Sequence, residues 1–84
     1  MSVVKIEKYY ADWCFPCKAL DKTLEQLPNN IILEKINIED NEELSIEKGI
    51  RSIPVLIFYN ENNEEITRTV GSIPYSKIKE ILNK

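Results

Sequence analysis

Apolar positions along this chain change period several times, and each change marks an element. Val3 to Tyr10 is rich in β-branched and aromatic residues and reads as a first strand. Strand alternation places Val4, Ile6, Lys8 and Tyr10 on one face and Lys5 and Glu7 on the other. From Cys14 to Leu27 the period lengthens. Cys17, Leu20, Leu24 and Leu27 fall at helical spacing, and Pro28-Asn29-Asn30 ends the run. Ile31 to Ile38 predicts a second strand, and Asn41 to Lys48 a short helix with Asp40 and Glu43 as a capping pair and Gly49 as the stop. Pro54 then opens Val55-Leu56-Ile57-Phe58-Tyr59, an unbroken apolar run that predicts a buried strand. Asn60-Glu61-Asn62-Asn63 turns the chain into Glu64 to Val70, polar enough for a sheet edge. Ser72-Ile73-Pro74 begins a last helix whose apolar face carries Tyr75, Ile78, Ile81 and Leu82. The predicted order is β-α-β-α-β-β-α, a single α/β domain spanning 1–84.

Composition narrows the function classes. With 84 residues, 43% of them hydrophobic, the chain can build one core with little to spare. A net charge of −3 without a basic block excludes nucleic acid and anionic membranes as expected partners. Met1-Ser2 runs straight into Val3-Val4-Lys5-Ile6, with no basic segment followed by a long apolar run, so neither a signal peptide nor a membrane span is expected. A reducing cytoplasm is the default location.

The chemistry lies in Trp13-Cys14-Phe15-Pro16-Cys17, which holds the only two cysteines at a predicted strand-to-helix junction. Closing so short a ring removes little entropy from the unfolded chain, so this spacing suits a redox couple better than a structural staple. A structural zinc site takes about four ligands, and two cysteines without histidine supply half of an all-cysteine set. An intermolecular half site and a pair of inert buried thiols are the competing readings. At a helix N-terminus, unpaired N–H groups and the positive end of the helix dipole favour thiolate, which makes Cys14 the expected nucleophile. Cys17, one turn inside, is the expected resolving thiol. Pro16 falls in the first turn, where its missing N–H costs little and its ring stiffens the loop.

The chain resembles the thioredoxin family over nearly its whole length. The resemblance rests on Tyr10-Ala11-Asp12-Trp13 before the cysteines, Lys18 after them, Lys35-Ile36-Asn37-Ile38, Gly49-Ile50-Arg51-Ser52-Ile53-Pro54 and Val70-Gly71. It implies a minimal thioredoxin fold, a four-stranded mixed sheet flanked by three helices and lacking the N-terminal strand and helix of full-length members. It further implies a dithiol oxidoreductase that reduces protein disulfides without a bound cofactor or metal. Ile53-Pro54 is implied to be a cis peptide facing Cys14, with the Ile53 backbone pairing to an extended substrate segment. Trp13, Phe15, Ile53 and Ile73 are implied to form an apolar rim around it. The implied partners are disulfide-containing proteins and an NADPH-linked flavin thioredoxin reductase, and the implied state is a monomer.

Two residues depart from the family pattern. Thioredoxins carry a buried Asp beneath the second cysteine as a proton acceptor, and Lys8 aligns there. A cation near Cys17 favours thiolate and makes the protein a weaker reductant, whereas burial disfavours the cation itself, so Lys8 is a candidate modulator of the thiols or a snorkelling bystander. Lys8→Asp is expected to lower the reduction potential, and an unchanged or raised value removes the role. Phe15 replaces a common glycine, either adding contact area for a partner, limiting which substrates reach the sulfur, or covering the motif. Two other functions compete: a glutaredoxin-type activity with glutathione as donor, and a docking module of a larger enzyme that needs no thiol chemistry. Glutaredoxins commonly place Gly-Gly and an acidic residue after the last strand, and Gly71-Ser72-Ile73-Pro74 offers neither.

Overall fold

Val55–Tyr59 is buried at all five positions, and the sheet is assembled around it. In the computed structural model, which describes residues 2–83, the elements run β1 (Lys5–Tyr10), α1 (Phe15–Leu24), β2 (Ile32–Asn37), α2 (Glu42–Glu47), β3 (Val55–Tyr59), β4 (Glu65–Val70) and α3 (Tyr75–Leu82). The expected domain bounds include Met1 and Lys84, which lie outside the described residues. One four-stranded sheet has the order β2-β1-β3-β4, with β1 parallel to β2 and antiparallel to β3, and β4 antiparallel to β3. β1 and β3 are therefore central, and polar β4 takes an edge as its composition predicts.

The sheet separates two apolar clusters. On one face Ile6, Leu56 and Phe58 pack with Leu20 and Leu24 of α1 and Ile78 and Ile81 of α3. Each of these that is fully buried contributes roughly 1.5–3 kcal/mol relative to exposure. On the other face Tyr9, Ile36, Val55, Ile57 and Tyr59 meet Leu44 of α2 and Ile50. That second face is thinly covered toward β2, where Ile32 and Glu34 are exposed.

Several local expectations need correction. Asp40 and Glu43 do not cap α2: the N-cap is Asn41, and its side chain makes no cap hydrogen bond. Asn41 Nδ2 instead donates to the Asn37 carbonyl at 2.9 Å, which tightens the turn ahead of the helix. Gly49 does stop it, at φ 70°, with its N–H donating to Ile46 and that of Ile50 to Ser45. Helix α1 ends at Leu24 rather than Leu27. Residues 25–27 continue only as successive i to i−3 bonds, Glu25 to Lys22, Gln26 to Thr23 and Leu27 to Leu24. Pro28 explains the early end, because the residue before a proline avoids the helical region. Pro74 lies just outside α3 as its N-cap, at φ −74° and ψ 157°, and helical geometry begins at Tyr75.

Glu7 keeps the face that strand alternation gives it. It lies on the face opposite Lys8, but it is buried there. Its Oε1 accepts from the Tyr59 hydroxyl at 2.6 Å and from the Tyr9 hydroxyl at 3.1 Å, with Lys5 Nζ 3.9 Å from Oε2. Burial, reinforced by the neighbouring Glu7 carboxylate, pushes both phenols above their ordinary range.

Candidate active site

The turn that leaves β1 places both sulfurs at the start of α1. Cys14 N–H donates to the Ala11 carbonyl at 3.1 Å, and Lys18 N–H reaches back to the Cys14 carbonyl at 3.3 Å. Cys14 is the helix N-cap, with extended backbone at φ −89° and ψ 105°, and Pro16 falls within the first turn. Its Sγ accepts the Cys17 backbone N–H at 3.2 Å. The sulfur thus takes the capping place usually filled by a serine or aspartate oxygen, and an N–H aimed at it stabilises negative charge there.

Cys14 and Cys17 are joined by a disulfide with their Cα atoms 5.3 Å apart. Both are buried, Cys14 at 4% and Cys17 at 1% exposure, in a small cluster with Ala11 against which Tyr10, Ile38 and Ile53 pack.

The Ile53–Pro54 peptide is cis, and Pro54 is buried while Ile53 reaches the cysteine cluster. Gly71, at φ 87°, donates its N–H to the Pro54 carbonyl at 2.8 Å. That bond holds the exit of β4 beside the proline loop. Trp13 and Phe15 project outward at 66% and 84% exposure, so Phe15 does not cover the motif. Ile73 is half-buried. It packs against the α1 and α3 core cluster and not against the cysteines.

Sequence reasoning missed two residues. Val70, which pairs with Val55 at the end of β4, is a further exposed apolar group. Asp21 on α1 is the more consequential omission. Its Oδ1 lies 2.5 Å from Lys8 Nζ and 3.2 Å from Lys35 Nζ. Helical spacing could have found it, since Asp21 follows Cys17 by four residues and so lies one turn along the same face. Lys8 is buried to 1% exposure, with its ammonium also 4.9 Å from the Tyr10 ring centre. Burial acts to raise the Asp21 pKa, but hydrogen bonds and charge from Lys8 and Lys35 outweigh it and hold the carboxyl below its ordinary range. Lys8, Tyr10, Asp12, Lys18 and Asp21 line a cavity of about 270 Å³ together with Cys17.

A wider groove, of about 620 Å³, lies at the start of α2 among Glu39, Asp40, Glu42, Glu43 and Glu47, away from the sulfurs. No helix among the described residues is long and apolar enough to cross a membrane.

Comparison with known proteins agrees with this geometry. The thioredoxin family model matches residues 2–84. Thioredoxin from Buchnera aphidicola subsp. Acyrthosiphon pisum is 38% identical over 80 residues, which span 90% of this chain and 73% of that protein. Thioredoxin from Porphyra purpurea is 35% identical over 80 residues, spanning 90% of this chain and 74% of the relative. Among solved structures, a mutant thioredoxin from Halobacterium salinarum superposes with a TM-score of 0.88 at 27% identity, covering 98% of this chain and 74% of that one.

Proposed function

The chain belongs to the thioredoxin family and is a dithiol oxidoreductase of protein disulfides, and from that premise we propose a division of labour between its sulfurs. In the reduced form the Cys14 thiolate attacks a substrate disulfide. A Cys14–substrate bond forms, the substrate bond breaks, and the second substrate sulfur leaves as a thiolate that takes a proton from water. Cys17, having lost its proton, then attacks Cys14 Sγ. The internal disulfide forms and the first substrate sulfur leaves, so two electrons pass from protein to substrate. The carrying observation is the Cys14 Sγ at the N-cap of α1, accepting the Cys17 N–H at 3.2 Å.

Trp13, Phe15 and Val70, all exposed, supply the apolar rim that a protein substrate meets, and Ile53 presents its backbone beside the buried Pro54. Ile73 contributes only the part of its surface that the core leaves uncovered. The electron donor in this reading is an NADPH-linked thioredoxin reductase. Gly71-Ser72-Ile73-Pro74 lacks the paired glycines and acidic residue associated with glutathione. A couple that must be returned to the dithiol suits the cytoplasm. A single domain acting as a monomer fits sheet edges that carry Glu34 and Lys35 on β2 and Glu65 and Arg68 on β4.

Insulin reduction tests the reading. Turnover with thioredoxin reductase and NADPH should exceed turnover with glutathione, and replacing both cysteines by serine should abolish it. Faster turnover with glutathione would move the protein to the glutaredoxin-type activity, and turnover with neither donor would favour the docking module.

A further inference from the structure

The ion pair beneath Cys17 is unused by the chemistry above, yet it holds an ammonium inside that face of the sheet. Lys8 sits on central strand β1, between Leu56 of β3 and Lys35 of β2 in register, on the face covered by α1. Its side chain is 1% exposed, whereas that of its partner Asp21 is 38% exposed. The cation is therefore sealed inside while the carboxylate keeps contact with water. Removing an ammonium from water costs several kcal/mol, which one hydrogen-bonded carboxylate offsets only in good geometry. An apolar residue would pack beside Leu56 without that cost.

The groups facing Cys17 come from three directions. Strand β1 brings Lys8 and Tyr10, the loop after it brings Asp12, and α1 brings Lys18 and Asp21, with Lys35 of β2 touching Asp21 from behind. Asp12 and Lys18 are exposed, and water screens them. Lys8 is the cation on this list that water does not screen. Cys17 needs its help, because a thiol buried among Ala11, Tyr10, Ile38 and Ile53 ionises reluctantly. Where the family resemblance places a carboxylate, this chain has a cation, with its carboxylate displaced outward onto the helix.

We infer that Lys8 is a positioning residue that promotes ionisation of Cys17 for the resolving step, and that Asp21 attenuates its field. The inference rests on the proposed role of Cys17 as the resolving thiol. The proton leaves Cys17 for solvent through the shared cavity, and the resulting thiolate attacks Cys14 Sγ as the substrate sulfur departs. Asp21 is not the acceptor. The two lysines that hold its pKa down also make it a weak base.

The two partners should therefore act with opposite sign. In reduced protein carrying ¹³Cβ-labelled cysteine, Lys8→Met should raise the apparent pKa of Cys17 by about one unit. Asp21→Asn should lower it, and Lys8→Arg should stay near the parent. Release of substrate from a Cys14 mixed disulfide should slow about tenfold in Lys8→Met at neutral pH and recover as pH rises, one unit corresponding to tenfold in thiolate. Upward shifts in both Lys8→Met and Asp21→Asn would show that Asp21 does not attenuate the field of Lys8 and would overturn the inference. No shift in either would make the pair purely structural. Asp21→Asn strands a buried cation, so if it does not fold, the contrast between Lys8→Met and Lys8→Arg decides alone, and equal Cys17 pKa values in the two overturn the inference. Cys17→Ser tests the underlying reading separately. It should trap substrate on Cys14, and failure to trap would refute the roles of the cysteines whatever the titrations give.

Discussion

The Cys17 backbone N–H points at Cys14 Sγ from 3.2 Å, so in the proposed division of labour the resolving residue also helps to activate the nucleophile. A donor aimed at sulfur at the positive end of α1 favours thiolate over thiol. The alkylation rate of reduced protein by iodoacetamide, which reports Cys14, should rise with a midpoint below the ordinary thiol value of about 8.5. A midpoint at or above that value would separate the capping geometry from reactivity.

Gly49 and Gly71 hold positive φ of 70° and 87°, and a Cβ added at either meets nothing within 4 Å. Alanine at each should therefore cost backbone strain alone, roughly 1–2 kcal/mol by urea unfolding. Their effects on activity should differ. Gly71 bonds to the Pro54 carbonyl beside the disulfide, whereas Gly49 ends α2. Insulin reduction should fall several-fold more in Gly71→Ala than in Gly49→Ala. Equal activities would mean that the Gly71 bond does not hold the proline loop in its working position.

Most of the fold was legible because its signals are local. The run from Val55 to Tyr59, short and rich in β-branched and aromatic residues, reads as a buried strand, and the spacing of Cys17, Leu20 and Leu24 makes a helix with one buried face. The cysteine pair, Pro16 and Trp13 were readable for the same reason, lying together in one short stretch. Asp21 was not. On a helix surface an aspartate among lysines reads as a solvated charge, and only the register of β1 with β2 brings Lys8 and Lys35 to it. Glu7 was hidden in the same way, since alternation gives its face but not the Tyr59 hydroxyl, 52 residues away in sequence. Asn41 displaced Asp40 as the cap of α2 because the turn from β2 is bonded through Asn37, and a shift of one residue there leaves no trace in composition.

Burial of Tyr59, reinforced by the Glu7 carboxylate, ties stability to alkaline pH. The folded phenol holds its proton above the ordinary value of 10.0, so as pH rises past that value the unfolded chain loses its proton first and unfolding is favoured. The contribution is complete below pH 10 and is lost as pH climbs toward the folded value. Tyr59→Phe should cost about 1.5–3 kcal/mol at neutral pH, the range for a hydrogen bond to a charged group. Its stability should then decline less steeply above pH 10 than that of the parent, measured by urea unfolding at closely spaced pH values. Parallel curves would show that the phenol titrates alike in both states.

Phe15 stands 84% exposed next to Cys14, packed against neither core cluster, so its place in the sequence is not explained by folding. Phe15→Ala should leave stability within about 0.5 kcal/mol. A ring that becomes covered when a protein substrate docks contributes to that complex, but a small disulfide touches little beyond the sulfur. Partial burial of such a ring is worth on the order of 1.4 kcal/mol, a tenfold effect. The kcat/KM for insulin should therefore fall about tenfold in the variant while that for a small disulfide such as oxidised glutathione holds. A uniform fall for both would point to altered Cys14 chemistry, and an increase for both would show that the ring obstructs access to the sulfur. Only the selective loss makes Phe15 a determinant of which disulfides this protein reduces.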